Sequence, residues 1–197
     1  MKTYSLNKYP NYQNGEGGFN FSHYYEGSRD WLHQYEPLLD YIKENLLPNI
    51  DTIMVFGCAS GRDFIPFQDD FSCIGFDIAP YEQINWVCKT DNLTYIECSI
   101  EDFVDNINIF EVEWKDVLIY SHGSMMYAPH NYQNKFVEKV LEKGCKNIVM
   151  QEYEPGNSQH HPYLNLNESN LKLFTKKLFK DQHLHMPIAH ILLEKTT

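Results

Sequence analysis

The sequence predicts an α/β fold built on a largely parallel β-sheet, and two patterns in the chain support this prediction. From Ile53 onward, short runs of strand character alternate with segments of helical character. These runs are apolar throughout, which is typical of strands that helices cover on both faces. The 197 residues suffice for one sizeable core, so we expect a single domain.

Five strands are predicted in this part of the chain, at residues 52–57, 72–77, 94–98, 116–121 and 147–152. Helices are expected between them, at residues 62–68, 81–88, 101–106 and 131–143. The last of these has the clearest pattern, because apolar residues recur at helical spacing and Gly144 follows as a stop signal.

The N-terminal residues 1–50 are predicted as a lid with one or two helices, and residues 51–197 as the α/β core. Ser28 can cap a first helix, and Pro37 suits the first turn of a second.

After the fifth strand we expect a polar loop, a helix at about 168–179 and a closing strand within 186–195. The basic stretch KLFTKKLFK overlaps the predicted helix, and we interpret it as a solvated helix face.

Composition excludes several classes of function. The net charge of −11 makes nucleic acid an unfavourable partner. No apolar run approaches the ~18 residues that cross a bilayer, so we expect no membrane partner and a soluble protein. The N-terminal segment does not resemble a secretory signal, which favours the cytoplasm. The five cysteines include no C-x-x-C pair and suit buried free thiols, and we expect no metal site.

The loop after the first predicted strand, GCASG at residues 57–61, contains almost no bulky side chain. Ligands of open parallel sheets bind at the carboxyl ends of the strands, so this loop can let a ligand approach its backbone. Asp77 ends the second predicted strand, sixteen residues after Gly61, where a carboxylate can accept hydrogen bonds from a ribose diol. The order and spacing of these two features together predict a nucleotide-like ligand.

The stretch VFGCASGRDFIPF, followed by GFDIAP, resembles motifs I and II of class I S-adenosylmethionine-dependent methyltransferases. The resemblance covers about residues 50–155. It implies a Rossmann-like sandwich: a mostly parallel seven-stranded sheet with a reversed last strand and helices on both faces. It also implies S-adenosyl-L-methionine as the cofactor.

By this resemblance, the cofactor-binding residues are Gly57, Cys58, Ala59, Gly61, Asp77, Ile78, Ser99, Ile100 and Ser121. The chain departs from the family pattern at Ala59, which replaces a glycine, and at Val55 and Ser99, where acidic residues are common. We expect the methyl group of Ala59 to be tolerated if residue 59 needs no positive φ. The carboxylates of Glu101 or Asp102, or the N-terminal segment, are candidates to replace the missing acidic groups.

The candidate general base is His122, because it follows the fourth predicted strand and imidazole titrates near neutral pH. The alternative is a histidine that bonds the backbone and shapes the pocket. Candidate acceptor-binding residues are His23, Tyr24, Tyr25, Gly123, Tyr127, His160 and His161. The N-terminal aromatic residues among them would equally suit packing of a helix onto the sheet.

The resemblance implies methyl transfer to a small polar acceptor, for which we expect oxygen as the methylated atom. Compact bacterial enzymes that modify surface polysaccharides or their phosphorylated precursors are similar in size and layout. Two alternatives stay open. The first is a protein of this fold that binds without catalysis. The second is a nicotinamide-dependent oxidoreductase, which the lack of a G-x-G-x-x-G pattern disfavours. The sequence leaves the oligomeric state open.

Overall fold

The computed structural model describes residues 2–5, 36–45, 50–84, 86–88, 90–153, 163–178 and 188–192. The strands in these ranges are β1 (Lys2–Ser5), β2 (Thr52–Phe56), β3 (Ser72–Asp77), β4 (Leu93–Glu97), β5 (Val117–His122), β6 (Asn147–Gln151), β7 (Thr175–Leu178) and β8 (Ile188–Leu192). The α-helices are α1 (Glu36–Asn45), α2 (Ile100–Asp105), α3 (His130–Glu142) and α4 (Glu168–Leu171). Among the described helices, none has the length and apolar character needed to span a bilayer.

All eight strands form one sheet, in the order β1-β4-β3-β2-β5-β6-β8-β7. Strand β8 runs antiparallel to both of its neighbours, and the other pairings are parallel. The prediction of a mostly parallel sheet with a reversed last strand is therefore confirmed. From β2 the chain moves outward through β3 and β4, and then returns to β5 on the other side of β2. The switch point of the sheet thus lies between β2 and β5, where ligands of such sheets bind.

The sheet has one strand more than the predicted seven. Strand β1 pairs in parallel with β4, so that Lys2 lies opposite Thr94 and Ser5 opposite Glu97. A four-residue strand is too short to show a periodic pattern, and its pairing depends on residues far along the chain. Helix α1 has Pro37 in its first turn, as predicted, whereas the predicted helix capped by Ser28 lies outside the described residues.

Apolar side chains fill both faces of the sheet. In β2, Ile53 and Val55 face the side that carries Leu38 and Ile42 of α1. The next residues, Met54 and Phe56, face the side covered by α2 and α3. On that second side, buried aromatic rings meet at short range: Phe56 stacks on Phe76 at 4.6 Å and meets Phe103 and Phe136 edge-on. Packed side chains therefore cover both faces of the sheet.

Two predicted helices of the first half are single 3₁₀ turns, at Arg62–Phe64 and Tyr81–Gln83. In the first turn, the backbone hydrogen bonds join residues three positions apart, as from Ile65 N to Arg62 O. Pro66 has no N–H to continue an α-helix. After the second turn, Val87 N donates to Ser60 O, so a tertiary contact holds this segment extended beside the glycine loop.

The predicted helix at 168–179 is also wrong in its second half. Helix α4 ends at Leu171, and residues 175–178 form the edge strand β7, which pairs with β8. Lys176 and Lys177 of the basic stretch therefore lie on a sheet edge and not on a helix face. Lysine on an edge strand discourages pairing with another chain.

Candidate functional site

The loop between β2 and the first 3₁₀ turn has an unusual backbone. Gly57, Ala59 and Gly61 have φ values of 66°, 44° and 78°, all in the left-handed region. The N–H groups of Gly57 and Cys58 both donate to Phe76 O, at 2.8 and 3.1 Å. The loop is therefore anchored to β3 at the switch point of the sheet.

Glycine is needed at two of these positions for space as well as for φ. A Cβ atom on Gly57 would lie 2.2 Å from Ser124 Oγ, and one on Gly61 would lie 3.0 Å from the Trp86 ring. Both glycines thus allow neighbouring elements to pack directly against the loop backbone.

The backbone at Ala59 does not meet the condition under which we expected its methyl group to be tolerated. We expected its methyl group to be tolerated if residue 59 needed no positive φ, but its φ is 44°. A left-handed alanine costs about 1 kcal/mol relative to glycine. The hydrogen bond from Ala59 N to Asp77 Oδ2, at 2.9 Å, holds the residue in this conformation.

Asp77 ends β3 and accepts backbone N–H groups on both carboxylate oxygens. Oδ2 binds Ala59 N, and Oδ1 binds Ala79 N at 3.0 Å. The side chain is 5% exposed. Burial raises the pKa of this carboxyl, and the surrounding amides oppose the rise. An ionised carboxylate has about four acceptor positions, so it can accept hydroxyl groups of a ligand as well.

A cleft opens at the carboxyl ends of β2, β3 and β4. Its lining brings together six of the predicted site residues, namely Gly57, Asp77, Ile78, Ser99, Ile100 and Tyr127. Ser124 and Ala128 complete the wall that carries Tyr127. The predicted loop residues Cys58, Ala59 and Gly61 are not part of this lining.

The hydroxyl group of Ser99 caps helix α2. It accepts a hydrogen bond from Asp102 N and donates one to Asp102 Oδ2, each at 3.1 Å. Asp102 is thus occupied by a capping box, whereas Glu101 is buried and lines the cleft. Of the two carboxylates considered as replacements for an acidic residue at position 99, Glu101 lines the cleft and Asp102 does not. Val55 lies in the core, fully buried.

Sequence reasoning missed another buried carboxylate, that of Glu152, directly after β6. Its Oε1 accepts hydrogen bonds from Ser121 Oγ, Ser124 N and Met125 N, at 2.6, 3.2 and 3.0 Å. Its Oε2 accepts one from Met126 N at 3.3 Å. Burial raises the pKa of this carboxyl to about 7, against the effect of these donors. An acidic residue at the end of a buried strand, as at Asp77, was the available signal.

Three predicted residues lie at the end of β5. Ser121 is fully buried and bonded to Glu152. Gly123 has φ 61° and donates its N–H to Gln151 O. His122 is 6% exposed and lies outside the cleft lining. Burial and the charge of Arg62 hold the pKa of His122 well below its usual range. Its role as a general base stays a prediction.

The other predicted acceptor residues, His23, Tyr24, Tyr25, His160 and His161, lie outside the described residues. Within the described part of the chain, no three His, Cys, Asp or Glu side chains form a group that could hold a metal ion. The five cysteines are buried free thiols.

Solved structures of similar fold share low sequence identity with the chain. The N-methyltransferase NodS from Bradyrhizobium japonicum WM9 is 9% identical, with TM-score 0.58, over 84% of this chain and 96% of that chain. The chain has the fold of class I S-adenosylmethionine-dependent methyltransferases. It matches no protein-family model and no curated protein.

Two further structures with this methyltransferase fold are similar to the chain. The sugar N-methyltransferase KedS8 from Streptoalloteichus sp ATCC 53650 is 12% identical, with TM-score 0.56, over 89% of this chain and 94% of that chain. Magnesium protoporphyrin IX methyltransferase from Synechocystis PCC 6803, with bound S-adenosylhomocysteine, is 11% identical, with TM-score 0.56, over 95% and 96%. The likeness therefore extends over nearly the whole length of each chain.

Proposed function

We propose that the chain is an S-adenosylmethionine-dependent methyltransferase that methylates a small polar acceptor on oxygen. One observation carries this proposal: the glycine loop and the carboxylate of Asp77 meet in one cleft at the switch point of a methyltransferase-type sheet. The Synechocystis neighbour, which has this fold, was crystallised with S-adenosylhomocysteine.

The described residues fit this cofactor. Gly57 presents backbone without a side chain to the cleft, and we assign the Gly57–Gly61 loop to the methionine part. We assign Asp77 to the ribose hydroxyls, because its carboxylate is buried, lines the cleft and has about four acceptor positions, more than its bonds to backbone amides use. Ile78, Ser99, Ile100 and Glu101 are assigned to the adenine. When bound, the cofactor supplies a methyl group activated by a sulfonium.

We assign the acceptor to the side of the cleft formed by Ser124, Tyr127 and Ala128. Tyr127 is 40% exposed there, and an aromatic face with a hydroxyl group suits a polar ring such as a saccharide. We therefore propose a saccharide or its phosphorylated precursor as the acceptor. The neighbour KedS8 is a sugar N-methyltransferase, so nitrogen is the competing acceptor atom.

His122 is the proposed base for a hydroxyl acceptor. Its lowered pKa keeps the imidazole neutral at pH 7, which is the state that can take a proton, although it also makes the base weak. An acceptor oxygen that is already anionic would need no base. A His122→Ala variant that keeps S-adenosylhomocysteine affinity and full methyl transfer would exclude this role.

Calorimetry and thermal shift with S-adenosylmethionine, S-adenosylhomocysteine and NAD test the proposal. We expect the two sulfur compounds to bind and to raise the midpoint of thermal unfolding, and NAD to do neither. Binding of NAD alone would contradict the proposal and favour an oxidoreductase. A lack of response to all three would favour a protein of this fold without cofactor binding. Transfer of a labelled methyl group to sugars and sugar phosphates then tests the acceptor class.

A further inference from the structure

Buried polar side chains hold the turn at residues 124–128, which forms the Tyr127 wall of the cleft. Glu152 and Gln133 make most of these hydrogen bonds, and Ser121 Oγ accepts one more from Met125 N at 3.2 Å. Glu152 is 1% exposed and Gln133 is fully buried. Neither residue lines the cleft. They reach the turn from different elements, since Glu152 follows β6 and Gln133 lies in α3.

Glu152 binds the start of the turn through the N–H groups of Ser124, Met125 and Met126. Gln133 binds its end, because Gln133 Nε2 donates to Ala128 O at 2.9 Å and to Met126 O at 3.4 Å. Gln133 Oε1 accepts a bond from Asn165 N at 2.7 Å, which ties the turn to the segment beyond residue 162.

The turn also closes on itself, through Tyr127 N to Ser124 O at 3.0 Å and Ala128 N to Met125 O at 3.1 Å. Its backbone amides from Ser124 to Ala128 thus all have acceptors. A backbone bonded in this way has little freedom to move, because each displacement would break a buried hydrogen bond.

The turn packs against the glycine loop at Gly57. Ser124 occupies the space beside Gly57 where a Cβ atom would otherwise stand, with Ser124 Cβ 2.3 Å from that position. A shift of the turn therefore changes the width of the cleft next to the glycine loop.

We propose that Glu152 and Gln133 are positioning residues for the cofactor site. Without touching the ligand, they fix the acceptor-side wall Ser124–Ala128 against Gly57, the glycine assigned to the cofactor. This inference rests on the proposed function, because it assigns cofactor affinity to the cleft. The raised pKa of Glu152 supports it, since a buried carboxylate that titrates near neutral pH can alter the bonding of the turn.

The principal test compares S-adenosylhomocysteine affinity, measured by calorimetry at pH 8, in the full chain and three variants. In Glu152→Gln, an amide NH₂ replaces one acceptor oxygen among N–H donors. In Gln133→Ala, the carbonyls of Met126 and Ala128 lose their donor. We expect each of these variants to bind about tenfold more weakly, as expected when a buried hydrogen bond is lost.

The matched control is Asn134→Ala. Asn134 is the next residue of α3 and also binds the segment beyond residue 162, through Asn165 O at 3.0 Å and Asn167 N at 2.8 Å. The structure shows no hydrogen bond from Asn134 to the described turn residues 124–128. We expect its affinity to stay within about twofold of the wild type, which separates positioning of the turn from docking of that segment.

Two further readouts distinguish positioning from a general loss of stability. Hydrogen exchange at Ser124, Met125 and Met126 should accelerate in Glu152→Gln while the amides of β2 keep their protection. The affinity of the wild type should rise between pH 6 and 8 as Glu152 ionises, more steeply than that of Glu152→Gln. Tyr127, the neighbouring titratable group of the turn, has a raised pKa and does not ionise in this range.

Wild-type affinity in both Glu152→Gln and Gln133→Ala would overturn the inference. If Glu152→Gln fails to fold, Gln133→Ala decides alone. If the wild type itself does not bind S-adenosylhomocysteine, the proposed function fails. In that case unchanged hydrogen exchange in Gln133→Ala would still overturn the positioning of the turn.

Discussion

The glycine loop after β2 and the turn after β5 are anchored in the same way but differ in backbone conformation. In each, a buried carboxylate at the end of a neighbouring strand accepts backbone N–H groups: Asp77 for the loop and Glu152 for the turn. The loop has three residues with positive φ within five positions, whereas the turn follows a single one, Gly123. Asp77 lines the cleft, and Glu152 lies behind the cleft wall.

The loop is therefore suited to contact a ligand directly, whereas the backbone of the turn supports the wall of the cleft. The loop brings bare backbone and a carboxylate to the cleft, at the expense of strain at Ala59. The turn brings side chains to the cleft, so its backbone bonds can be satisfied from behind by Glu152. Substitutions in the loop should therefore change stability and binding together, whereas substitutions behind the turn should act on binding through geometry.

The largest expected effect is at the contact between the two regions. Gly57→Ala would place a Cβ atom 2.2 Å from Ser124 Oγ at a residue with φ 66°. Overpacking and a left-handed alanine together should lower the free energy of unfolding by about 3 kcal/mol and abolish cofactor binding. Urea denaturation measures this loss.

The matched control is Gly144→Ala, at φ 96° with no atom within 4 Å of the added Cβ. This variant has the strain of a left-handed alanine without overpacking, so we expect its free energy of unfolding to fall by about 1 kcal/mol. Equal losses in the two variants would mean that Ser124 does not pack against the loop.

The second effect is the pH dependence contributed by Glu152. Its pKa is raised from 4.5 to about 7, so the folded state favours the protonated form. The stability linked to this group is fully present below its ordinary pKa and is lost as pH rises through about 7.

Between pH 5 and 8, the wild type should lose about 2 kcal/mol more stability than Glu152→Gln, which cannot ionise. Urea denaturation of both proteins at each pH gives this difference, in which the titration of Asp63 and Asp77 cancels. A parallel pH dependence in the two proteins would show that the Glu152 carboxyl titrates normally.

The third effect concerns Asp77, the carboxylate that anchors the glycine loop and lines the cleft. Asp77→Ala removes the acceptor for Ala59 N and the proposed acceptor for the ribose hydroxyls. S-adenosylhomocysteine affinity should fall by more than about 1 kcal/mol, because a buried diol loses its partner. Calorimetry at a temperature where the variant is folded checks this value, and unchanged affinity would remove Asp77 from the site.

The smallest effect tests the strain in the loop. Ala59→Gly relieves a left-handed alanine and should raise the free energy of unfolding by about 1 kcal/mol, without loss of affinity. The control is Ala79→Gly, the same change at a fully buried residue without positive φ, which should lower stability. Destabilisation of both variants would mean that Ala59 is not strained.

Much of the fold was predictable from local patterns, because a strand buried on both faces is apolar throughout. Strands β2 to β6 fall within about one residue of their predicted bounds. The sequence predicts helices where the structure has two 3₁₀ turns. Pro66 has no N–H to continue the first as an α-helix, and Val87 N bonds Ser60 O after the second. The edge strands β1 and β7 depend on pairing with β4 and β8, which short segments do not reveal.

The sequence by itself determined the α/β class, the glycine loop and the place of Asp77, since chain order and spacing carry these features. The tertiary structure alone decided that Ala59 has positive φ, that the Ser99 hydroxyl is occupied by a helix cap, and that Glu152 supports the turn. These properties depend on which backbone groups meet across the sheet, from residues as far apart as Ser121 and Glu152. These contacts depend on packing and hydrogen bonding between distant segments, which local sequence patterns do not reveal.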